Sequence, residues 1–205
     1  MLQKPKILVV VGPTASGKSD LAVHLAKKFG GEVISADSRQ VYKGLNIGTG
    51  KVTKKEMAGI PHLLLDVVSP AKQYSVAEYQ RDANAAIANI VRIGKLPIIC
   101  GGTVQYIDAL ICNISLPEVA PNKELRTRLE KLPVEKLFLM LQKLDSVRAE
   151  NIDAKNPRRL IRAIEIAKAL GHVPHLDTGC PSAYDSLFIG INVENEKLKI
   201  NQDID

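Results

Sequence analysis

The sequence predicts an α/β protein in which a parallel β-sheet is flanked by helices and interrupted by a helical insertion. Short apolar runs that suit buried strands alternate with segments of helical periodicity in the first half of the chain. Helical patterns then dominate, and strand character returns near the end. We therefore expect an α/β core over residues 1–114, a helical insertion over 115–175 and a return to the core over 176–205.

The predicted strands are continuous apolar runs, which are typical of strands buried on both faces of a parallel sheet. They lie at residues 7–11, 32–35, 63–68, 96–100 and 187–193. Because parallel strands need crossover connections, the segments between them should contain helices.

The predicted helices carry recognisable start and stop signals. Residues 18–29 have apolar positions at helical spacing and are followed by Gly30. Ser75 can cap a second helix, with Gly94 just past its end. In the insertion, residues 122–144 and 157–170 are predicted to be helical throughout.

Composition narrows the class of protein. The chain has 205 residues, 45% of them apolar, and its three cysteines have no metal-ligand spacing. No apolar run is long enough to span a bilayer, and the start does not resemble a signal peptide. We therefore expect a cytoplasmic monomer with reduced thiols and no membrane contact.

The net charge of +6 is unevenly distributed, and residues 121–175 are the most basic part for their length. Such a surface suits a polyanion such as nucleic acid. It is equally typical of solvated helical faces. Charge alone leaves both interpretations open.

The strongest motif lies between the first predicted strand and the first helix and matches G-x-x-x-x-G-K-[ST]. Its residues are Gly12, Pro13, Thr14, Ala15, Ser16, Gly17, Lys18 and Ser19. In this context it predicts a P-loop NTPase-like core whose backbone amides cradle a diphosphate, with Lys18 as a cation and Ser19 as a ligand for Mg²⁺. Kinases, NTPases and rarer transferases all use such a loop, so the motif does not identify the reaction.

A polar segment follows the second predicted strand. Asp37 leaves that strand at the edge where parallel strands bind ligands, and it can serve as a general base. Ser38, Arg39 and Gln40 can hold a polar substrate. Helix capping or a place near Mg²⁺ would also explain Asp37, and the residues alone leave these alternatives open.

Two further features are candidates for the same site. Thr103 follows two glycines at the end of the strand over residues 96–100, where a hydroxyl can approach the phosphates, although a simple turn would also explain the glycines. Arg158, Arg159 and Arg162 fall within about one turn of a helix start. They can bind diphosphate or a nucleic-acid backbone, or form an exposed face paired with Glu165.

Five segments together resemble the bacterial tRNA dimethylallyltransferase family, in order and over nearly the whole chain. They are residues 12–19 (GPTASGKS), 35–49 (SADSRQVYKGLNIGT), 74–79 (YSVAEY), 97–103 (PIICGGT) and 156–165 (NPRRLIRAIE). The second segment beside a P-loop is specific to this family and its cytokinin-forming relatives.

The resemblance implies transfer of a dimethylallyl group from dimethylallyl diphosphate to N6 of adenosine 37 in the tRNA anticodon loop, with Mg²⁺. It implies that the loop at residues 12–19 holds the donor diphosphate and that Asp37 is the general base. Ser38, Arg39 and Gln40 would contact the flipped-out base. Thr103 would hydrogen-bond the bridging oxygen of the leaving group.

The resemblance also assigns the arginines and exposes three departures. Arg159 and Arg162 would serve diphosphate and tRNA, and Arg158 stands where the family has glutamine. One of two family histidines is missing beside His62, and the sequence after Thr103 differs. Family members continue with further helices, so we expect a C-terminally shortened relative that retains donor binding.

Three alternative functions stay open at this point. A cytokinin-type enzyme would prenylate adenylate, but residues 36–40 and the basic insertion favour tRNA. A small-molecule P-loop kinase would transfer phosphate from ATP. A shortened chain could also bind diphosphate without modifying anything.

Overall fold

A computed structural model describes residues 4–114, 116–117, 119–174 and 182–192 of the chain. The chain forms two compact units. The α/β unit takes its described residues from 4–114 and 182–192, and the helical unit takes its described residues from 116–174. Within these described parts, no helix has the length and apolar character needed to cross a membrane.

The α/β unit is built on a five-stranded sheet in which every pairing is parallel, in the order β3-β2-β4-β1-β5. Its elements are β1 (Lys6–Val11), α1 (Lys18–Phe29), β2 (Gly31–Ser35), α2 (Lys54–Met57), β3 (His62–Leu63), α3 (Val76–Arg92), β4 (Leu96–Gly101), α4 (Val104–Ile111) and β5 (Asp185–Gly190). The predicted α/β class with a parallel sheet is confirmed.

Helices cover both faces of the sheet because alternate strand residues point to opposite sides. On one face, Val10 and Ile98 are buried in a cluster with Ala22 of α1. On the other face, Val9 and Ile99 lie in the cluster that contains the buried residues of α3 and α4. The sheet edge that carries the strand ends is thereby held between two packed layers.

Local signals set the ends of the helices as predicted. Gly30 ends α1 in the left-handed conformation at φ 65°. Ser75 and Glu78 form a capping box at the start of α3, in which each side chain accepts from the other residue's backbone amide. Gly94 follows α3 at φ 72°.

The predicted strand over residues 63–68 is wrong beyond Leu63. The chain turns away from the sheet through Leu64 and Asp66, which have φ values of 62° and 55°. Val67 and Val68 then donate their amides to the carbonyl of Val41 instead of continuing the sheet. A run of apolar residues did not reveal this because the turn depends on contacts with a distant segment. The last predicted strand, residues 187–193, is present as β5, but it begins at Asp185 and ends at Gly190, and residue 193 lies outside the described residues.

The helical unit contains α5 (Lys123–Leu129), α6 (Val134–Leu144), α7 (Ser146–Glu150) and α8 (Pro157–Leu170). The prediction of one helix over residues 122–144 is wrong, because Pro133 lacks an amide proton and stands as the N-cap of α6. The bounds of α8 are those predicted. Asn156 caps it, Pro157 is its first residue, and Gly171 ends it at φ 84°.

Candidate active site

The phosphate loop connects the end of β1 to the start of α1, as the motif predicts. Ala15 and Gly17 have φ values of 58° and 81°, which curl the backbone around the space before α1. A Cβ on Gly12 would lie 2.7 Å from Ser16 Oγ and 3.2 Å from Ile191 Cβ. Glycine suits position 12, because a side chain there would crowd Ser16 and Ile191.

Two side chains of this loop have the chemistry that a phosphate needs. Lys18 donates from Nζ to the carbonyl oxygen of Pro13 at 2.7 Å, so its ammonium folds back over the loop. The hydroxyl of Ser16 is buried and has no hydrogen-bond partner among the described residues. Buried polar groups are normally satisfied, and a bound phosphate oxygen would satisfy this one. The loop therefore fits an anionic ligand.

Asp37 lies two residues beyond the end of β2. Its Oδ1 accepts from the backbone amides of Arg39, at 2.8 Å, and Gln40, at 3.3 Å. Asp37 therefore caps a turn over residues 37–40 and not a helix, because the next helix begins only at Lys54. Oδ2 makes no hydrogen bond within the described parts of the chain, so it can still accept a proton from a substrate. Asp37 can cap the turn and act as a base at the same time.

Thr103 links the ends of β2 and β4. Its Oγ1 accepts from the amide of Ser38 at 2.9 Å and donates to Ser38 Oγ at 3.2 Å. Its own amide donates to the carbonyl of Ala36 at 3.1 Å. Although Thr103 is the N-cap of α4, its side chain makes no capping bond. A simple turn would not use the hydroxyl in this way, and the contact places Thr103 beside the segment that carries Asp37.

Close backbone packing makes this arrangement possible. A Cβ on Gly101 would lie 2.2 Å from the carbonyl oxygen of Ala36, so glycine is required where the two strand ends meet. A Cβ on Gly102 would lie 4.0 Å from Cε of Lys18. The two glycines before Thr103 therefore lie between the backbone of Ala36, next to Asp37, and the side chain of Lys18 in the phosphate loop.

One small cavity of about 20 Å³ joins the phosphate loop to Asp37. Its polar lining comes from Lys18, Ser19, Ser35, Asp37, Gln40, His62 and Cys100. The structure therefore brings together Lys18 and Ser19 of the loop with Asp37 and Gln40. Arg39, by contrast, is exposed and does not line this cavity.

His62 and Cys100 are lining residues that were not predicted as site residues. Burial lowers the pKa of His62, against a smaller opposite effect of its contact with the carbonyl of Ile60, so the imidazole is neutral near pH 7. Burial raises the pKa of Cys100 to about 11, so the thiol stays protonated. No periodicity points to either residue, because their place depends on the alignment of β3 and β4 with β2.

The predicted Mg²⁺ site can be compared with the side chains present. No cluster of three His, Cys, Asp or Glu side chains suited to a metal occurs in the described residues. Ser19 and Asp37 do line the same cavity. One hydroxyl and one carboxylate fit a Mg²⁺ ion that takes its other ligands from phosphate and water, as Mg²⁺ usually does.

The three predicted arginines belong to the helical unit and differ in their surroundings. Arg158 and Arg159 are exposed, and Arg159 Nη1 lies 3.9 Å from the carboxylate of Asp153. Arg162 donates to Glu165 at 2.5 Å and to the carbonyl of Val119 at 3.0 Å. The pairing with Glu165 is therefore confirmed for Arg162 alone. The contacts of Arg159 and Arg162 with diphosphate stay a prediction.

Glu165 is a buried carboxylate whose oxygens are both occupied. Arg126 donates to it twice, at 3.1 and 2.8 Å, and the amide of Asn122 donates at 2.6 Å. Burial raises its pKa, but the hydrogen bonds from Arg126, Asn122 and Arg162 outweigh burial and lower the pKa to about 2. This network ties the start of α5 to α8.

Comparison with known proteins gives concordant results. The IPP transferase family model matches residues 40–205. A tRNA dimethylallyltransferase from Caldanaerobacter subterraneus subsp. tengcongensis is 42% identical over 212 residues, covering 98% of this chain and 67% of the relative.

Two solved structures are also similar. The tRNA isopentenylpyrophosphate transferase of Bacillus halodurans is 40% identical with a TM-score of 0.66, over 98% of this chain and 65% of its own. A eukaryotic dimethylallyltransferase acting on tRNA is 29% identical with a TM-score of 0.79, over 98% of this chain and 53% of its own. The chain thus spans about two thirds of the length of these bacterial relatives. On sequence and fold together, the chain belongs to the IPP transferase family.

Proposed function

We propose that this protein transfers a dimethylallyl group from dimethylallyl diphosphate to N6 of adenosine 37 in tRNA. The observation that carries the proposal is that Asp37, Lys18 and Ser19 line one cavity, while Thr103 is bonded to Ser38, the residue after Asp37. A carboxylate base next to a diphosphate loop is what transfer of a carbon chain to an amine requires.

The donor would bind through its diphosphate. The amides of residues 12–19 and the start of α1 supply hydrogen bonds and partial positive charge. Lys18 would exchange the carbonyl of Pro13 for phosphate oxygens, and the hydroxyl of Ser16 would gain its missing partner. Ser19 would hold Mg²⁺ together with phosphate oxygens, and that ion would neutralise charge on the diphosphate.

The acceptor would react as a nucleophile through its exocyclic amine. The amine nitrogen forms a bond to C1 of the dimethylallyl group while the C1–O bond breaks and diphosphate leaves with the electron pair. The amine is weak because its lone pair is delocalised into the ring, so loss of its proton to Oδ2 of Asp37 assists the attack. The bonds from Arg39 and Gln40 to Oδ1 keep this carboxylate oriented.

Stabilisation of the leaving group would fall to Thr103 and Lys18. The amide of Ser38 holds Thr103 Oγ1 in place while leaving the hydroxyl proton able to turn from Ser38 Oγ to the bridging oxygen. A donor aimed at charge that develops in the transition state accelerates the reaction more than it strengthens binding.

The tRNA would meet exposed cations in both units. Arg39 follows Asp37, while Arg158 and Arg159 lie on the surface of the helical unit. Cations of this kind bind phosphates, and a base that undergoes chemistry must be extruded from its stack. We also propose that the protein acts in the cytoplasm. We propose further that it is a monomer, and sedimentation at working concentration would check the monomeric state.

The test is incubation of the chain with radiolabelled dimethylallyl diphosphate, ATP, Mg²⁺ and one of two acceptors, unmodified tRNA or AMP. We expect label in tRNA. Label in AMP alone would favour the adenylate enzyme, and ATP consumption without label would favour a kinase. Label that appears only after the chain is extended with a relative's C-terminal residues would show that this chain binds the donor without transferring it.

A further inference from the structure

A buried lysine lies close behind the polar segment that follows Asp37. The side chain of Lys51 is only 5% exposed, and its Nζ lies 2.6 Å from Asp66 Oδ1 and 2.6 Å from the carbonyl oxygen of Tyr42. A buried ammonium is costly unless it is paired and hydrogen-bonded, and here it is both. The contact joins three separate stretches of the chain at one point.

Asp66 extends this contact toward the candidate site. Its Oδ1 also accepts from the amide of Gly44, and its own amide donates to the carbonyl of Gln40 at 3.2 Å. Gln40 donates from Nε2 to the carbonyl of Gly50, next to Lys51, and from its amide to Asp37. A continuous set of hydrogen bonds therefore runs from Lys51 to the proposed general base.

The backbone at Asp66 needs such support. Asp66 and Leu64 both have positive φ values, 55° and 62°, which side chains other than glycine rarely adopt. Conformations of this kind persist where the surrounding structure holds them, and they concentrate at functional sites. Lys51 and Asp66 hold this turn against residues 40–44.

We propose that Lys51 is a positioning residue for acceptor binding. Through Asp66 and the carbonyl of Tyr42, it fixes residues 38–42 so that Asp37 and its neighbours are aligned for the incoming base. This inference rests on the proposed function. The ammonium of Lys51 bonds to Tyr42 and Asp66 and, among the residues that the structure describes, makes no hydrogen bond to the phosphate loop, so we expect donor binding not to depend on it.

The variants distinguish loss of the contact between Lys51 and Asp66 from a mere change in net charge. Lys51→Met keeps the length and removes the ammonium, and Asp66→Ala removes the acceptor. Asp66→Asn keeps an oxygen at Oδ1 for both Lys51 and Gly44 but removes the counter-charge of Lys51, so it should restore only part of the loss. Lys55→Met is the matched control, because Lys55 is an exposed lysine whose loss changes the net charge equally.

The first measurement needs no activity. Hydrogen exchange of the amides of residues 42–44 and 66–68 should quicken in Lys51→Met and Asp66→Ala, while exchange in α1 and binding of inorganic diphosphate stay unchanged. Normal exchange at residues 42–44 in both variants would overturn the proposal. Faster exchange throughout the chain, or loss of diphosphate binding, in both variants would show that the contact is only structural. That result would also overturn the proposal.

The second measurement is transfer to tRNA. We expect kcat/KM for tRNA to fall about 10- to 100-fold in Lys51→Met and Asp66→Ala, less in Asp66→Asn, and to stay near the wild-type value in Lys55→Met. Wild-type rates in the first two variants would overturn the inference but not the proposed function. Absence of transfer by the wild-type chain would instead count against the proposed function, while the exchange result would still decide the role of Lys51.

Discussion

Asp37 in the α/β unit and Glu165 in the helical unit are both carboxylates held by hydrogen bonds. They differ in how many of their oxygens have a hydrogen-bond partner. Both oxygens of Glu165 receive bonds, from Asn122, Arg126 and Arg162. Asp37 uses Oδ1 to cap a turn and, within the described residues, keeps Oδ2 without a partner.

The difference distinguishes a structural carboxylate from one that can still bind a ligand. Glu165 is buried, and three partners stabilise its charge, so it links two helices and has no capacity left for a ligand. Asp37 is half-buried in a cavity shared with Lys18 and Ser19. Polar groups left open around a cavity indicate ligand binding more reliably than charge does.

The largest effect should come from Asp37→Asn. The amide oxygen of Asn can still accept from Arg39 and Gln40, but Asn cannot take a proton, so transfer should fall about 10²- to 10⁴-fold. Single-turnover label transfer measures the rate, and equilibrium binding of dimethylallyl diphosphate is the control. If the variant loses donor affinity instead, Asp37 is a metal or structural group.

Glu165→Ala should act on stability rather than chemistry. Removal of the buried carboxylate leaves the partly exposed Arg126 and Arg162 without their shared partner, which should cost about 1–3 kcal/mol. Urea denaturation measures the free energy of unfolding. Glu124→Ala is the matched control, because its exposed pair with Arg128 should contribute less than about 1 kcal/mol. Equal effects of the two variants would contradict the structural role of Glu165.

The pH dependence of stability should show the same carboxylate. The folded-state pKa of Glu165 is about 2, below its ordinary value of 4.5. Its contribution is therefore present above pH 4.5 and is lost as the pH falls toward 2, by about 3 kcal/mol in all. Between pH 4.5 and 2, the free energy of unfolding should fall more steeply with decreasing pH for the wild type than for Glu165→Gln. Parallel curves would contradict this assignment.

Thr103→Ala should slow transfer about 10²-fold, because the leaving group loses a donor aimed at its bridging oxygen. Thr103→Ser keeps the hydroxyl and should retain most of the rate. The dissociation constant for tRNA should change much less than the rate constant in either variant. A variant that weakens tRNA binding more than transfer would place Thr103 in acceptor binding instead.

The smallest effect should come from Arg158→Ala on the surface of the helical unit. Loss of one phosphate contact should weaken tRNA binding a few-fold. It should also reduce, by about one, the slope of the logarithm of the binding constant against the logarithm of the salt concentration. Arg92→Ala, an exposed arginine at the end of α3, is the control. Unchanged salt dependence in Arg158→Ala would assign this arginine to a solvated surface.

The sequence predicts those parts of the fold that local signals determine. The bounds of α1 and α8 follow from glycine, proline and capping residues at their ends, and these act within one turn of the chain. The phosphate loop is predicted for the same reason, because the eight consecutive residues 12–19 carry the whole motif that forms it. Asp37 and Thr103 follow from the rule that parallel strands end at one edge.

Contacts between distant segments could not be predicted in the same way. The turn at Leu64 and Asp66 depends on residues 40–44 and on Lys51, and no periodicity encodes that pairing. The bond from Ser38 to Thr103 spans 65 positions. The orientation of Arg162 toward Glu165 was one of several alternatives until the packing of α8 was known.

In the proposed reaction, the phosphate loop holds a diphosphate that departs while its carbon chain moves to an amine next to Asp37. The most direct measurement locates the product: after incubation with labelled dimethylallyl diphosphate, the tRNA is digested and the modified nucleoside and the released diphosphate are quantified. We expect label on N6 of adenosine 37, with one diphosphate released for each group transferred. Diphosphate release without labelled nucleoside, or label at another position, would contradict this account.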